Sequence, residues 1–256
     1  EKMPEAPSGA WVPQIHASTH SAAEAFVVIE DHRRDDWTPY VYHTEDFGDS
    51  WRRIAESVDG YALSVVQDPE VAELLFVGTD RGLWVSTDDA GNWQRWTNGV
   101  PATPVRDMVI QYREHDLVMG TFGRSFLVLD DIRPLRTLAR NGSVPESLHV
   151  YPVIDAPQVD IAQQPGPIFP GDFLYQGENR EFGARIRYWV PEEAESVEEG
   201  GDEGDSKEEL EVTIQILSGS EVVRRLSGPS EPGLHQIEWA MDRAGTRPPN
   251  REEPGD

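Results

Sequence analysis

The sequence has 256 residues, enough to bury a real core and to form one or two domains. It has no cysteine, which excludes disulfides and thiolate metal sites, and its formal net charge of −25 argues against nucleic acid and anionic membranes as partners. Lys2 and Lys207 are the only lysines, so arginine supplies nearly all of the 22 basic residues.

An acidic, lysine-poor surface stays hydrated in molar salt, where charge repulsion is screened within a few Å, so a halophilic source is expected. No apolar run approaches the roughly 18 residues of a membrane span. The opening E-K-M-P-E-A-P has neither the basic start nor the apolar stretch of a secretory leader.

Residues 1–10 are proline-rich and read as a connection. Short runs rich in Val, Ile, Leu, Phe and Trp follow, separated by turn residues, the pattern of an all-β chain. Strands are expected at Val12–Ala17, Phe26–Glu30, Tyr40–Thr44 and Trp51–Ala55, then at Ala62–Gln67, Leu74–Gly78, Leu83–Ser86 and Trp93–Trp96. A third group comprises Asp107–Tyr112, Leu117–Gly120 and Phe126–Leu129, and stops at D-D-I-R-P-L.

One turn pattern punctuates these groups. Thr44–Trp51 reads T-E-D-F-G-D-S-W, with Thr44, Asp46, Gly48, Ser50 and Trp51 at its defining positions. Ser86–Trp93 reads S-T-D-D-A-G-N-W, with Ser86, Asp88, Ala90 and Trp93 in the same places, 42 residues later. Gly78-Thr79 recurs as Gly120-Thr121 and Asp88-Asp89 as Asp130-Asp131 at the same interval. A strand-rich period of roughly 40 to 50 residues means stacked units of the propeller-blade kind. The aspartates are expected to accept hydrogen bonds from turn N–H groups, Gly48 to take a positive φ, and the tryptophans to pack between sheets. Their role is structural rather than catalytic.

The stretch from Trp11 to Leu135 resembles the last blades of BNR-repeat, or Asp-box, β-propellers of the sialidase-like and sortilin-like group, many of them labelled glycosyl hydrolases. DHRRDDWTPYVYHTEDFGDSW, LLFVGTDRGLWVSTDDAGNW and DLVMGTFGRSFLVLDDIRPL carry the likeness. Ala90 at the glycine position and Asn92 where Ser or Thr is usual depart from the pattern. The resemblance implies an all-β fold of about three blades of an incomplete propeller, a secreted or cell-surface protein, and an Asp-box on the side away from the ligand face. Three units are fewer than the four of the smallest closed propeller. The chain is therefore expected to be the C-terminal part of a larger protein whose remaining N-terminal blades are its partners.

The propeller part is expected over residues 1–136, a polar linker over 137–147, and a second domain over 148–256. Strands are expected within Asp172–Val190, Leu210–Leu226 and Gly233–Met241, with a solvated acidic loop at 191–209 and a proline-rich tail from Thr246. GENREFGARIRYWV and GPSEPGLHQIEWAMDR resemble the immunoglobulin-like β-sandwich that follows the propeller in those proteins.

Loops joining the second and third strands of each unit should share the end opposite the turns. They contain Asp31, His32, Arg33, Arg34, Asp35, Asp36 and Trp37; Asp80 and Arg81; and Phe122 and Arg124. Arginine, carboxylate and an aromatic together suit a glycan or peptide ligand. Glycoside hydrolysis needs two carboxylates at a defined separation, and Asp31, Asp35 and Asp36 are the catalytic candidates, without a distinct pair. Sialidase-like chemistry would need a tyrosine nucleophile, and Tyr40 and Tyr42 lack an evident glutamate partner. His16, His20 and His43 have no ligand spacing, so neither metal nor cofactor is expected. Two readings stand: a binding or scaffolding propeller, and a glycoside hydrolase completed by residues elsewhere.

Overall fold

A computed structural model describes residues 3–156, 183–192 and 212–243. The chain divides into two compact units, Glu1–Val144 and Pro145–Asp256. The acidic loop from residue 193 onward, the strand expected from Asp172 up to residue 182, and the tail from Thr246 lie outside the described residues.

The first unit is three antiparallel sheets, each a meander. The first sheet contains β1 (Trp11–Ala17), β2 (Ala25–Asp31), β3 (Asp36–Thr44) and β4 (Arg52–Arg53), in that order. The second repeats the arrangement with β5 (Ala62–Gln67), β6 (Leu75–Thr79), β7 (Gly82–Ser86) and β8 (Gln94–Trp96). The third has β9 (Val105–Gln111), β10 (Asp116–Thr121) and β11 (Phe126–Leu129), with no fourth strand among the described residues.

Period-2 side-chain alternation gives each sheet two apolar faces, and the sheets stack through them. Phe26, Val28 and Val41 of the first sheet meet Val65, Leu75 and Val77 of the second, with Trp84 and Trp93 at the margin. On its other face the second sheet turns Val66, Phe76, Leu83 and Val85 toward Met108, Ile110, Leu117 and Met119 of the third. Polar bonds fix the stacking. The Val65 N–H donates to Gln14 Oε1 at 2.6 Å, and Ser64 Oγ donates to the Val105 carbonyl at 3.0 Å. At this junction Gly78 leaves no room: a Cβ there would lie 2.4 Å from Ser64 Oγ and 2.5 Å from the Val105 carbonyl oxygen. Residues 3–10 cover the outer face of the first sheet, where Met3, Ala6 and Ala10 pack on Val27, Ile29, Tyr40 and Tyr42.

The two repeated turns use one set of bonds. Asp46 Oδ1 accepts from the Ser50 N–H at 2.8 Å and from Thr44 Oγ1 at 2.8 Å; Asp88 Oδ1 accepts from the Asn92 N–H and from Ser86 Oγ at the same distances. The hydroxyls in turn accept from the N–H of Gly48 and of Ala90, each at 3.0 Å. Asn92 replaces the Ser50 hydroxyl by donating Nδ2 to Asp88 Oδ2 at 2.6 Å. Gly48 has φ of 82° and Ala90 of 64°, so both occupy the left-handed region that glycine tolerates best. Trp93 Nε1 donates to the Ile54 carbonyl at 2.6 Å, fastening the second turn to the end of the first sheet.

The stretch read as a polar linker begins as structure instead. Residues Arg133–Asn141 form α1, with Pro134 in its first turn and Gly142 closing it at φ 71° through an N–H to the Leu138 carbonyl. Arg136 is 1% exposed, donating Nε to Asp68 at 2.9 Å and Nη1 to Glu70 at 2.7 Å and toward His115 Nδ1 at 2.7 Å. A buried guanidinium with these partners holds α1 against the second and third sheets. Sequence polarity hid this because the residue that buries is charged.

The second unit is also antiparallel. The strands β12 (His149–Val150), β13 (Ala184–Val190) and β16 (Gly233–Trp239) form one sheet, while β14 (Val212–Ser218) and β15 (Glu221–Gly228) form another. Alternate residues Ala184, Ile186, Tyr188 and Val190 of β13 are buried. Tyr188 donates its hydroxyl to the Pro229 carbonyl at 2.7 Å, tying β13 to the segment after β15.

Candidate ligand-binding end of the sheets

Antiparallel connection puts the loop between β2 and β3 at the opposite end of the first sheet from the Asp46 turn. The same holds for the β6–β7 loop, at Asp80 and Arg81, and the Asp88 turn. That end gathers around Tyr61, in the connection leading into β5. His32 stacks on the Tyr61 ring at 4.5 Å and 17°, and Trp37 meets it edge-on at 5.6 Å and 66°. The Tyr61 carbonyl accepts the Asp80 N–H at 3.2 Å. Burial raises the Tyr61 phenol above its usual range, and the charges of Asp80 and Glu30 add to this while Arg106 opposes it. Arg106 in turn stacks on Phe122 at 5.4 Å, and the Phe122 N–H donates to the Pro104 carbonyl at 2.9 Å. The first two expected loops thus meet at Tyr61, and the third is tied by Phe122 to Arg106, whose charge reaches the Tyr61 phenol.

Two carboxylates lie within this cluster. Glu30 is buried, with Oε2 3.6 Å from His32 Nδ1, and neither atom makes a hydrogen bond within the protein. Asp80 Oδ1 is likewise buried without a partner, packed against the Gly60 backbone. Burial raises the Asp80 carboxyl above the ordinary range, with Arg81 pulling the other way from 3.9 Å. Arg81 itself is committed to Asp59 at 2.8 Å.

The outer surface of the cluster is aromatic and cationic. Trp37 is 52% exposed and Phe122 68%. Arg33 and Arg124 are exposed, and neither they nor Arg106 pair with a carboxylate among the described residues. In a chain with 47 acidic residues against 22 basic ones, unpaired arginines at one end are unexpected on charge statistics alone.

The three catalytic candidates in the long loop are engaged locally. Asp31 accepts Arg34 Nε at 2.6 Å, and Arg34 also donates to the Ser8 carbonyl. Asp35, at φ 65°, accepts Trp37 Nε1 at 3.0 Å and so orients that ring. Asp36 accepts the Thr38 N–H and the Tyr40 hydroxyl, and the bonds from Thr38 hold its carboxyl below the usual range. Burial raises the Tyr40 phenol and pushes Tyr42 up to about 12; a nucleophilic phenol needs the opposite shift.

Sequence reading placed His32, Arg33, Arg34, Trp37, Asp80, Arg81, Phe122 and Arg124 at this end, of which Arg34 is taken up by Asp31 and the Ser8 carbonyl, but missed Glu30, Tyr61 and Arg106. Glu30 hides at the close of an apolar strand, and Tyr61 and Arg106 lie outside the β2–β3 type of loop. The signal available was Tyr61 itself, an aromatic at the mouth of the strand that follows the turn. No group of three His, Asp or Glu residues suited to a metal occurs among the described residues.

No family model matches the sequence, and no curated protein matches it. Two solved structures are similar in part. A GH74 enzyme of Niastella koreensis is 16% identical over 47% of this chain and 21% of that one, with a TM-score of 0.40. An ancestral GH74 enzyme is 14% identical over 70% of this chain and 25% of that one, with a TM-score of 0.30. The chain thus spans a quarter or less of the length of each. The chemistry of the loop end rests on its own geometry.

Proposed function

We propose that the first unit is a run of BNR-repeat β-propeller blades, followed by an immunoglobulin-like sandwich, in a secreted protein adapted to high salt, and that its loop end binds a glycan. The observation supporting this is the accessible Trp37 and Phe122 beside Arg33, Arg106 and Arg124, with Tyr61 behind them holding His32 and Trp37 by ring contacts and the Asp80 N–H by its carbonyl. Exposed rings offer flat faces to sugar C–H groups, and arginines with no carboxylate of their own offer donors to hydroxyl or carboxylate oxygens. A peptide ligand would favour an open strand edge or an apolar groove here, and the loop end supplies rings and guanidinium groups instead.

The test is a glycan-array screen in molar salt with the intact chain and a Trp37→Ala variant. Binding with a dissociation constant in the micromolar to millimolar range, weakened about tenfold or more in the variant, is expected from losing one stacking platform of ~1.4 kcal/mol. No binding to any glycan by folded protein would remove the reading.

One observation favours glycoside hydrolysis as a second reading: Asp80 Oδ1 is buried within the loop cluster without a hydrogen-bond partner, an environment that raises its carboxyl as a general acid requires. Turnover of any glycan, abolished by Asp80→Asn while binding persists, would establish it in place of a purely binding role.

A further inference from the structure

Three histidines without ligand spacing in the sequence come together around one segment, the end of β5. This strand is an edge of the second sheet, and no described strand pairs with its outer side. Side chains at alternate positions of β1 and the turn after it bond that edge instead. Gln14 Oε1 accepts the Val65 N–H at 2.6 Å, and His16 Nε2 accepts the Gln67 N–H at 3.3 Å. Ser18 Oγ donates to Gln67 Oε1 at 2.6 Å, and His20 Nε2 bonds the Asp68 carbonyl at 2.7 Å. Glu24 Oε1 closes the set, accepting from Gln67 Nε2 at 3.0 Å and from His43 Nε2 at 2.9 Å.

A proton affects these imidazoles differently. His20 faces a carbonyl, which accepts from a neutral or a charged ring alike. His43 lies between the Glu24 carboxylate and Arg52, 3.2 Å from its Nδ1, so one neighbour favours its charge and the other opposes it. His16 faces a backbone N–H, which can only donate, so its Nε2 must offer a bare lone pair. The titratable groups on the elements packed round it are engaged elsewhere: Glu24 with His43 and Gln67, the Asp68 carboxylate with Arg136, and Arg52 with Asp89. Its other neighbour is the Phe26 ring of β2, at 6.2 Å. Burial lowers the His16 imidazole below its ordinary range.

We propose that His16 is a proton-operated latch between the first and second sheets. Neutral, it caps the Gln67 N–H and closes the edge of β5; protonated, it turns a donor toward that donor, and the junction opens. The closed junction binds one proton fewer than the open one, so closure is favoured above the ordinary imidazole value near 6.5 and is lost as pH falls below it. One such proton shifts the opening equilibrium by up to tenfold per pH unit, or about thirtyfold between about pH 7.5 and pH 5. His32 and Trp37 belong to the first sheet while Tyr61 leads into β5, so opening also parts the rings at the loop end. That effect on glycan binding rests on the ligand reading; the latch does not.

Hydrogen exchange of single backbone amides, followed by NMR and corrected for the intrinsic rate at each pH, reads the latch in the 256-residue chain. Protection at Val65 and Gln67 should fall about thirtyfold between about pH 7.5 and pH 5, while Val77, inside the second sheet, keeps its protection. His16→Gln offers an amide oxygen, as Gln14 does two residues earlier, and cannot titrate, so its Gln67 amide should be equally protected at both pH values. His20→Gln should respond to pH like the unaltered chain. Equal loss of protection in the His16→Gln variant and the unaltered chain would overturn the proposal, as would a Gln67 amide in the unaltered chain that ignores pH. Should His16→Gln not fold, the unaltered chain decides alone: the His16 ring and the Gln67 amide must share one pH midpoint, and separate midpoints overturn the latch. Glycan binding on the same samples reports separately on the loop end.

Discussion

At the scale of single residues, the repeated turns show what each side chain contributes. Hydrogen bonds from the Ser50 side chain and backbone and from Thr44 hold the exposed Asp46 carboxyl at about 2, below its usual range. A lowered folded-state value contributes stability above the unfolded value near 4 and loses it as pH falls toward 2. Asp46→Asn should therefore flatten the acid limb of a melting-temperature-against-pH curve between about pH 4 and pH 2. Asp80 carries the opposite sign. Its raised carboxyl favours the folded state only below the ordinary aspartate range, and that contribution is lost as pH rises through the folded value. Asp80→Asn should raise the melting temperature at neutral pH and lose that advantage in acid. The backbone imposes its own order. Gly48→Ala should cost about 1 kcal/mol, because the residue takes φ of 82° with space for a methyl group; Ala90 already bears that strain in the second turn.

At the scale of elements, the close contacts between sheets and helix set the larger effects. Gly78→Ala places a methyl group against the Val105 carbonyl and should destabilise by roughly 2 to 3 kcal/mol or more, seen as a lower urea midpoint, against the smaller loss at Gly48. Arg136→Ala should cost about 3 to 5 kcal/mol, because it leaves Asp68 buried and charged without its guanidinium partner. Arg136→Lys should recover only part of this, since one ammonium cannot reach both Asp68 and Glu70 in a planar fork. The strands of the first unit were legible because alternation and turn residues are local properties, and β5 and β11 have the bounds the sequence suggests. The turn bonds were legible too, since Asp, Ser or Thr, and glycine at fixed offsets carry their own mechanism. Helix α1 was not read, although Pro134 and Gly142 bracket it, because its anchor Arg136 pairs with Asp68 and Glu70 more than 60 residues away. The loop end was read in part for the same reason: Trp37 and Asp80 lie in loops that topology brings together, but Tyr61 and Arg106 join them only through the stacking of sheets.

At the scale of the whole molecule, charge and repeat make separate demands. Both lysines lie outside the described residues, so every described basic side chain other than histidine is an arginine. With 47 acidic residues, the compact chain repels itself unless counter-ions screen it. Melting temperature and solubility should therefore rise between 0.1 and 2 M sodium chloride, by about 10 °C or more if several kcal/mol of repulsion are relieved. Greatest stability in low salt would remove the halophilic reading and leave composition unexplained. The two ends of the stacked sheets differ in chemistry: self-contained aspartate turns close one end of the first two sheets, and the other end gathers rings and arginines from three loops.

That difference is most directly tested by hydroxyl-radical footprinting of the chain saturated with the strongest glycan from the array. Trp37 and Phe122 at the loop end should be protected, while the more exposed Phe47 in the Asp46 turn should react as it does without ligand. Protection of Phe47 with Trp37 and Phe122 unchanged would place the ligand at the wrong end of the sheets and contradict the account.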